Sequence, residues 1–166
     1  MRSEMRRTHM CGELREEHAG TEVVLCGWVH TRRDHGGVVF LDLRDRTGLV
    51  QLVCNPEVSP ESHALAHQAR SEYVLACRGE VRMRPPEAVN PALATGKVEV
   101  LALEMEVLNA SHTPPFEIQG GITADEALRL RYRYLDLRRP EMQEALILRG
   151  AVTRAVRSYL DEKGFI

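Results

Sequence analysis

Gly27-Trp28-Val29-His30-Thr31-Arg32-Arg33-Asp34-His35-Gly36-Gly37-Val38-Val39-Phe40-Leu41-Asp42-Leu43-Arg44-Asp45 reads as two β-strands joined by a tight glycine turn, with a pair of arginines beside the turn. On the second strand Val39, Leu41 and Leu43 share one face, and Phe40, Asp42 and Arg44 share the other. Phe40 is therefore an aromatic ring on a face that is otherwise polar. An outward ring beside guanidinium groups on a small barrel is a platform for unpaired nucleotides.

Working outward, Val23–Asp34, Val38–Asp45 and Leu49–Cys54 are three β-rich runs, with Thr47-Gly48 turning the second into the third. Ser59-Pro60-Glu61 has the signature of a helix start, and the helix runs to about Arg70 with Ala64, Leu65 and Ala69 on one side. Tyr73–Arg84 is a fourth strand with Gly79 as its bulge, closed by Pro85-Pro86, and Lys97–Leu108 is a fifth. Five strands with one helix between the third and fourth is the order of an OB-fold barrel, which binds oligonucleotides on the faces of strands two and three. Val50 and Leu52 are expected to face in and Gln51 out, beside Phe40. Trp28, Cys26 and Cys54 are expected in the core.

The 166 residues carry a formal net charge of −2, and residues 1–109 hold 13 basic against 16 acidic side chains. A nucleic-acid site must then be a local patch, and strong nonspecific DNA binding is not expected. Cys11, Cys26, Cys54 and Cys77 form no C-x-x-C pair and no metal-ligand spacing, as expected of thiols in a reducing cytosol. The N-terminus, with Met1 or Met5 as its start, has no secretory h-region, and no apolar run reaches membrane-spanning length, so a soluble cytoplasmic protein is expected.

Asn109–Ile122 is a proline- and glycine-bearing linker. Thr123-Ala124-Asp125-Glu126 reads as a capping box opening a helix through Leu137. Pro140 opens a second helix whose apolar stripe is Met142, Leu146, Val152, Val156 and Tyr159 or Leu160, with Gly164 just past its end. Phe165-Ile166 begins an apolar run, so a truncated chain is expected.

Four blocks, covering the chain in order, carry a resemblance: Met5-Arg6-Arg7-Thr8-His9 with Cys11-Gly12; Gly27-Trp28-Val29 through Arg44-Asp45-Arg46; Asn90-Pro91 with Ala94-Thr95-Gly96 and Glu99-Val100; and Arg131-Tyr132-Arg133-Tyr134-Leu135-Asp136-Leu137-Arg138-Arg139-Pro140-Glu141-Met142. Together they resemble the N-terminal part of bacterial aspartyl-tRNA synthetases, class II ligases; lysyl- and asparaginyl-type relatives share the barrel and parts of the last block. The resemblance implies an anticodon-binding barrel over residues 1–109, a hinge over 110–139, and the start of a class II catalytic domain over 140–166. ATP and magnesium are implied for the full-length enzyme, as is a homodimer. The fragment lacks motifs 2 and 3, so it is expected to catalyse nothing alone and to hold no cofactor or metal.

The resemblance also implies site residues. Phe40 matches the aromatic that stacks on the middle anticodon base, and Gln51 the amide that reads its edge. Arg33 and Glu99 match contacts to the first base. Arg82 and Arg84, sharing one face of strand four, match contacts to the backbone or third base, with Asn90 in the adjoining loop. Arg32 and Arg44 are structural or peripheral phosphate contacts. The partner implied is tRNA(Asp). His35 resembles the histidine of members that also charge tRNA(Asn), whose anticodon differs only at the third base, whereas Glu87 stands where those members have glycine. The alternative is a free-standing OB module that binds RNA or single-stranded DNA without catalysis.

Overall fold

A computed structural model describes residues 5–165; Met1–Glu4, with the alternative start at Met1, and Ile166 lie outside the described residues. The chain divides into two compact units between Thr113 and Pro114. In the first, β1 (Glu22–His35), β2 (Val38–Arg44), β3 (Leu49–Cys54), β4 (Val74–Met83) and β5 (Val98–Asn109) close a barrel in the order β1-β2-β3-β5-β4. The 14-residue β1 makes closure possible. Its first half pairs with β4 (Glu22 opposite Glu80 to Trp28 opposite Val74), and its second half pairs with β2. The link between β3 and β5 is parallel; the other pairings are antiparallel.

Alternation on the strands builds the interior. Val23, Leu25 and Val29 of β1 meet Val39, Leu41 and Leu43 of β2, Val50 and Leu52 of β3, and Val81, Val98 and Val100, all fully buried. Helix α1 (Pro60–Gln68) packs on β5, β2 and β3; Ser59 caps it, accepting from the Ser62 amide at 3.2 Å, and Pro60 sits where no N–H is needed. Its buried face is Ser62, Ala66 and Ala69; Ala64 points to solvent, contrary to the sequence expectation.

Three features depart from the linear pattern. First, Trp28 and Cys26 are half-buried on the outer side, because Leu25, Gly27 and Val29 take the inward positions. Only glycine fits at position 27, where a Cβ would lie 2.5 Å from the Arg44 carbonyl oxygen. Second, β1 carries a bulge: Val29 opposes Leu43 but Thr31 opposes Asp42, so His30 is the extra residue. It lies beside the Arg44 guanidinium, 2.9 Å from Nδ1, while Arg44 also bonds Glu72 at 2.6 Å. Third, the irregularity near Gly79 places the extra residue, Leu103, in β5 rather than β4. All four thiols are free, in keeping with their spacing, and burial pushes that of Cys54 up to about 12.

The β1–β2 turn is Gly36-Gly37, with φ of 59° and 81°. Two successive positive φ values are what a two-residue hairpin turn of matching twist demands. Near the N-terminus, the Cys11 amide donates to Asp45 Oδ2 (2.7 Å) and the Gly12 amide to Thr47 Oγ1 (2.9 Å), pinning this segment to the β2–β3 turn.

In the second unit, α2 (Glu126–Arg131) is capped by Asp125, which accepts from the Ala127 amide at 3.0 Å, rather than by Thr123. A non-helical Tyr132 separates α2 from α3 (Arg133–Asp136). Asp136 is fully buried among Arg129, Arg133 and Arg139, with Arg139 Nε at 3.2 Å. Helix α4 (Pro140–Glu162) starts with proline at its first position and ends in a Schellman motif: Phe165 N–H donates to the Leu160 carbonyl and Gly164 N–H to that of Asp161, with Gly164 at φ 80°. No described helix is long and apolar enough to cross a membrane.

Candidate nucleic-acid interface

The outer faces of β1, β2, β3 and β5 carry one continuous polar row. Because of the bulge at His30, Thr31 and Arg33 join the side of the sheet that holds Asp42 and Phe40; Thr31 opposes Asp42, and Arg33 opposes Phe40. Asp42 in turn opposes Gln51 on β3. Thr31 Oγ1 donates to Asp42 Oδ2. Arg33 Nη2 lies 3.1 Å from Asp42 Oδ1 and 3.1 Å from Gln51 Oε1. Gln51 Nε2 donates to Glu99 Oε2 at 2.9 Å. Arg82 opposes Glu99 across β4–β5 and pairs with Glu80 at 3.0 Å.

Phe40 is half-buried and takes no part in the core cluster, as its place between inward Val39 and Leu41 requires. The neighbouring Arg33 side chain is 58% exposed. Gln51 faces outward as expected, yet it is only 6% exposed, because Arg33 and Glu99 lie against its amide. Burial raises the Glu99 carboxyl above its ordinary range, against the opposing pull of Arg84, the Gln51 hydrogen bond and Arg82.

The two β4 arginines part ways. Arg82 is exposed, whereas Arg84 lies one residue beyond the strand and is 8% exposed. Arg84 Nε donates to the Val98 carbonyl (2.9 Å) and Nη1 reaches that of Ala88 (3.4 Å), while Nη2 is buried with no hydrogen-bond partner. Its pKa is lowered by burial, with Glu99 and Asp42 opposing. Arg84 therefore does not share Arg82's open setting: the loop after β4 folds over it, and it ties that loop to β5. Asn90 shapes the same loop, its Oδ1 accepting from the Ala92 amide at 3.0 Å and its backbone N–H bonding the Gly96 carbonyl. Glu87 is exposed on a short 3-10 turn (Pro86–Ala88). His35 is exposed as the last residue of β1, opposite Val38. Arg32 turns toward α1 and donates to the His67 carbonyl at 3.2 Å.

Arg33, Gln51 and Glu99 thus form one bonded chain, with Phe40 opposite Arg33 and Arg82 opposite Glu99, while His35 ends β1 and Glu87 and Asn90 lie between β4 and β5. Asp42 and Thr31 received no role from the linear reading. The outward parity of Asp42 was visible beside Phe40, but that of Thr31 was hidden by the bulge. The arrangement can do one thing well: present a ring face, a fixed amide edge and exposed cations to a flat polar ligand bearing negative charge.

Residues 23–108 match the family described as OB-fold nucleic acid binding domain, and residues 125–166 match tRNA synthetases class II (D, K and N). A protein named aspartate–tRNA(Asp/Asn) ligase from Moorella thermoacetica is 60% identical over 161 residues, which is 97% of this chain and 27% of that protein. The chain thus spans about a quarter of the length of such relatives. The asparaginyl-tRNA synthetase of Pyrococcus horikoshii superposes with TM-score 0.81 at 28% identity, covering 96% of this chain and 35% of the other. An aspartyl tRNA synthetase from Entamoeba histolytica gives TM-score 0.85 at 20% identity, covering 99% and 39%, a likeness of fold.

Proposed function

The chain belongs to the OB-fold nucleic acid-binding domain family, and we propose that its barrel binds the anticodon loop of tRNA(Asp) and tRNA(Asn) on behalf of an aspartate–tRNA ligase. The observation that carries this is the pairing of a half-buried outward Phe40 with exposed Arg33, beside an amide held in one orientation. Phe40 stacks under the middle base, worth about 1–3 kcal/mol. Gln51 reads that base's edge, and Arg33 and Glu99 meet the first base. Arg82 takes the phosphate backbone, while Arg84 and Asn90 hold the loop that flanks the third base. His35 and Glu87 flank that base too, and relatives at 52–60% identity are named for both tRNAs. The first relatives are named aspartate–tRNA(Asp/Asn) ligases, and the resemblance implies ATP and magnesium for such an enzyme at full length.

The test is binding of a labelled anticodon hairpin carrying the aspartate anticodon, against a hairpin with the same stem and a scrambled loop. The expected result is preference for the first, lost in Phe40→Ala. Equal binding of both hairpins would overturn the assignment.

A further inference from the structure

Gln51 is clamped at both ends of its amide. Arg33 can only donate, so Oε1 faces it; the ionised Glu99 can only accept, so Nε2 faces it. One lone pair on Oε1 and one N–H on Nε2 remain for a ligand. Uracil and cytosine offer edges of the same shape with roles exchanged: uracil sets a carbonyl acceptor beside its N3–H donor, and cytosine sets an amino donor beside its N3 acceptor. An amide turned one way complements the first, and the same amide turned over complements the second. The sense of the amide is thus the discriminating feature; Glu99 fixes it from one end, and whatever holds Arg33 in place fixes it from the other.

Asp42 does the holding. Both of its oxygens are within 3.3 Å of Arg33 Nη2, and Thr31, which reaches this face only through the bulge at His30, bonds Oδ2 and fixes the carboxylate. Arg33 is otherwise a long, exposed side chain with every reason to wander. Resting on the anticodon assignment above, we infer that Asp42 is a positioning residue: by holding Arg33 on Gln51 it works with Glu99 to fix the sense of the Gln51 amide and strengthens the site's preference for uracil over cytosine at the stacked base. The codons for aspartate and asparagine share a central A, so both partner anticodons carry uracil there.

The experiment measures binding of two hairpins that differ only by uracil or cytosine at the middle anticodon position, with the 166-residue chain and its Asp42→Asn variant. A carboxylate acting only through its charge repels RNA, so its loss would tighten both hairpins equally. A positioning role instead predicts that the uracil preference shrinks by about fivefold or more, the scale of one lost two-point contact, while affinity for the cytosine hairpin holds or rises. Asp42→Glu, which keeps the charge one methylene further out, is expected to shrink the preference in the same direction and serves if Asp42→Asn does not fold. Wild-type preference for uracil that survives unchanged in a folded variant overturns the role of Asp42 and leaves the anticodon assignment standing. Wild-type chain that binds both hairpins but does not prefer uracil overturns the role of Gln51 and of Asp42 together. No hairpin binding by the wild type overturns the anticodon assignment itself.

Discussion

Arg33 and Phe40 stand opposite each other as a cross-strand pair on the outer side of the barrel, an exposed cationic side chain across from a half-buried ring. One offers charge and the other a flat surface, and a stacked nucleotide with its phosphate needs both.

Phe40→Ala should weaken an anticodon hairpin by about 1–3 kcal/mol, measured by fluorescence anisotropy. Phe40→Trp keeps a flat face and should retain most of the affinity. Because the ring lies outside the core cluster, the melting temperature should move little in either variant.

Arg82→Ala should act differently. Its exposed guanidinium suits a phosphate contact, so its loss should weaken all loop sequences alike. The slope of log K against log salt should fall by about 0.7, the value for one single-strand phosphate contact. A titration series in potassium chloride measures this; an unchanged slope would remove Arg82 from the interface.

Glu99 bears on pH. Its carboxyl is raised by burial in the folded chain, so the folded state binds its proton more readily than the unfolded state does. The ionised group therefore costs stability above the raised folded value, and that cost fades as pH falls through that value toward the ordinary carboxylate range. Glu99→Gln removes the charge and keeps an oxygen for Gln51 Nε2. The variant's melting temperature relative to wild type should be highest near pH 7 and should decline steadily toward pH 4. A difference that grows on acidification would contradict the raised value.

Two glycines should respond with opposite signs. A Cβ at Gly12 would lie 2.2 Å from the Thr47 carbonyl oxygen, and backbone cannot swing aside. Gly12→Ala should cost about 1–3 kcal/mol, as overpacking does. Gly150 lies inside α4 with nothing within 4 Å of the added atom, so Gly150→Ala should stabilise that helix by about 0.8–1.0 kcal/mol. Urea unfolding followed at Trp28 for the barrel, and thermal circular dichroism for the helix, measure the two.

Much of this architecture was legible in linear order. β2 declared itself through Val39, Leu41 and Leu43, and α1 through Ser59 and Pro60, because alternation and capping are local properties of neighbouring residues. The site was legible as far as Phe40, whose parity follows from its own strand. Gln51 and Arg84 were legible as polar but not as buried, since what covers them arrives from other strands and from the loop after β4. The helix start was misplaced at Thr123 because both Thr123 and Asp125 are capping residues, and only the backbone chose between them.

Local chemistry by itself determined the strands, the order that makes them a barrel, and the identity of the outward ring. The tertiary structure alone decided which side of β1 carries the arginine. Counting by twos from Val23 puts Thr31 and Arg33 inside; the one extra residue in the register, His30, turns them out to meet Asp42 and Gln51. A bulge is chosen by how two strands must curve to close a barrel, so it depends on partners far along the chain and leaves no mark in the residues beside it.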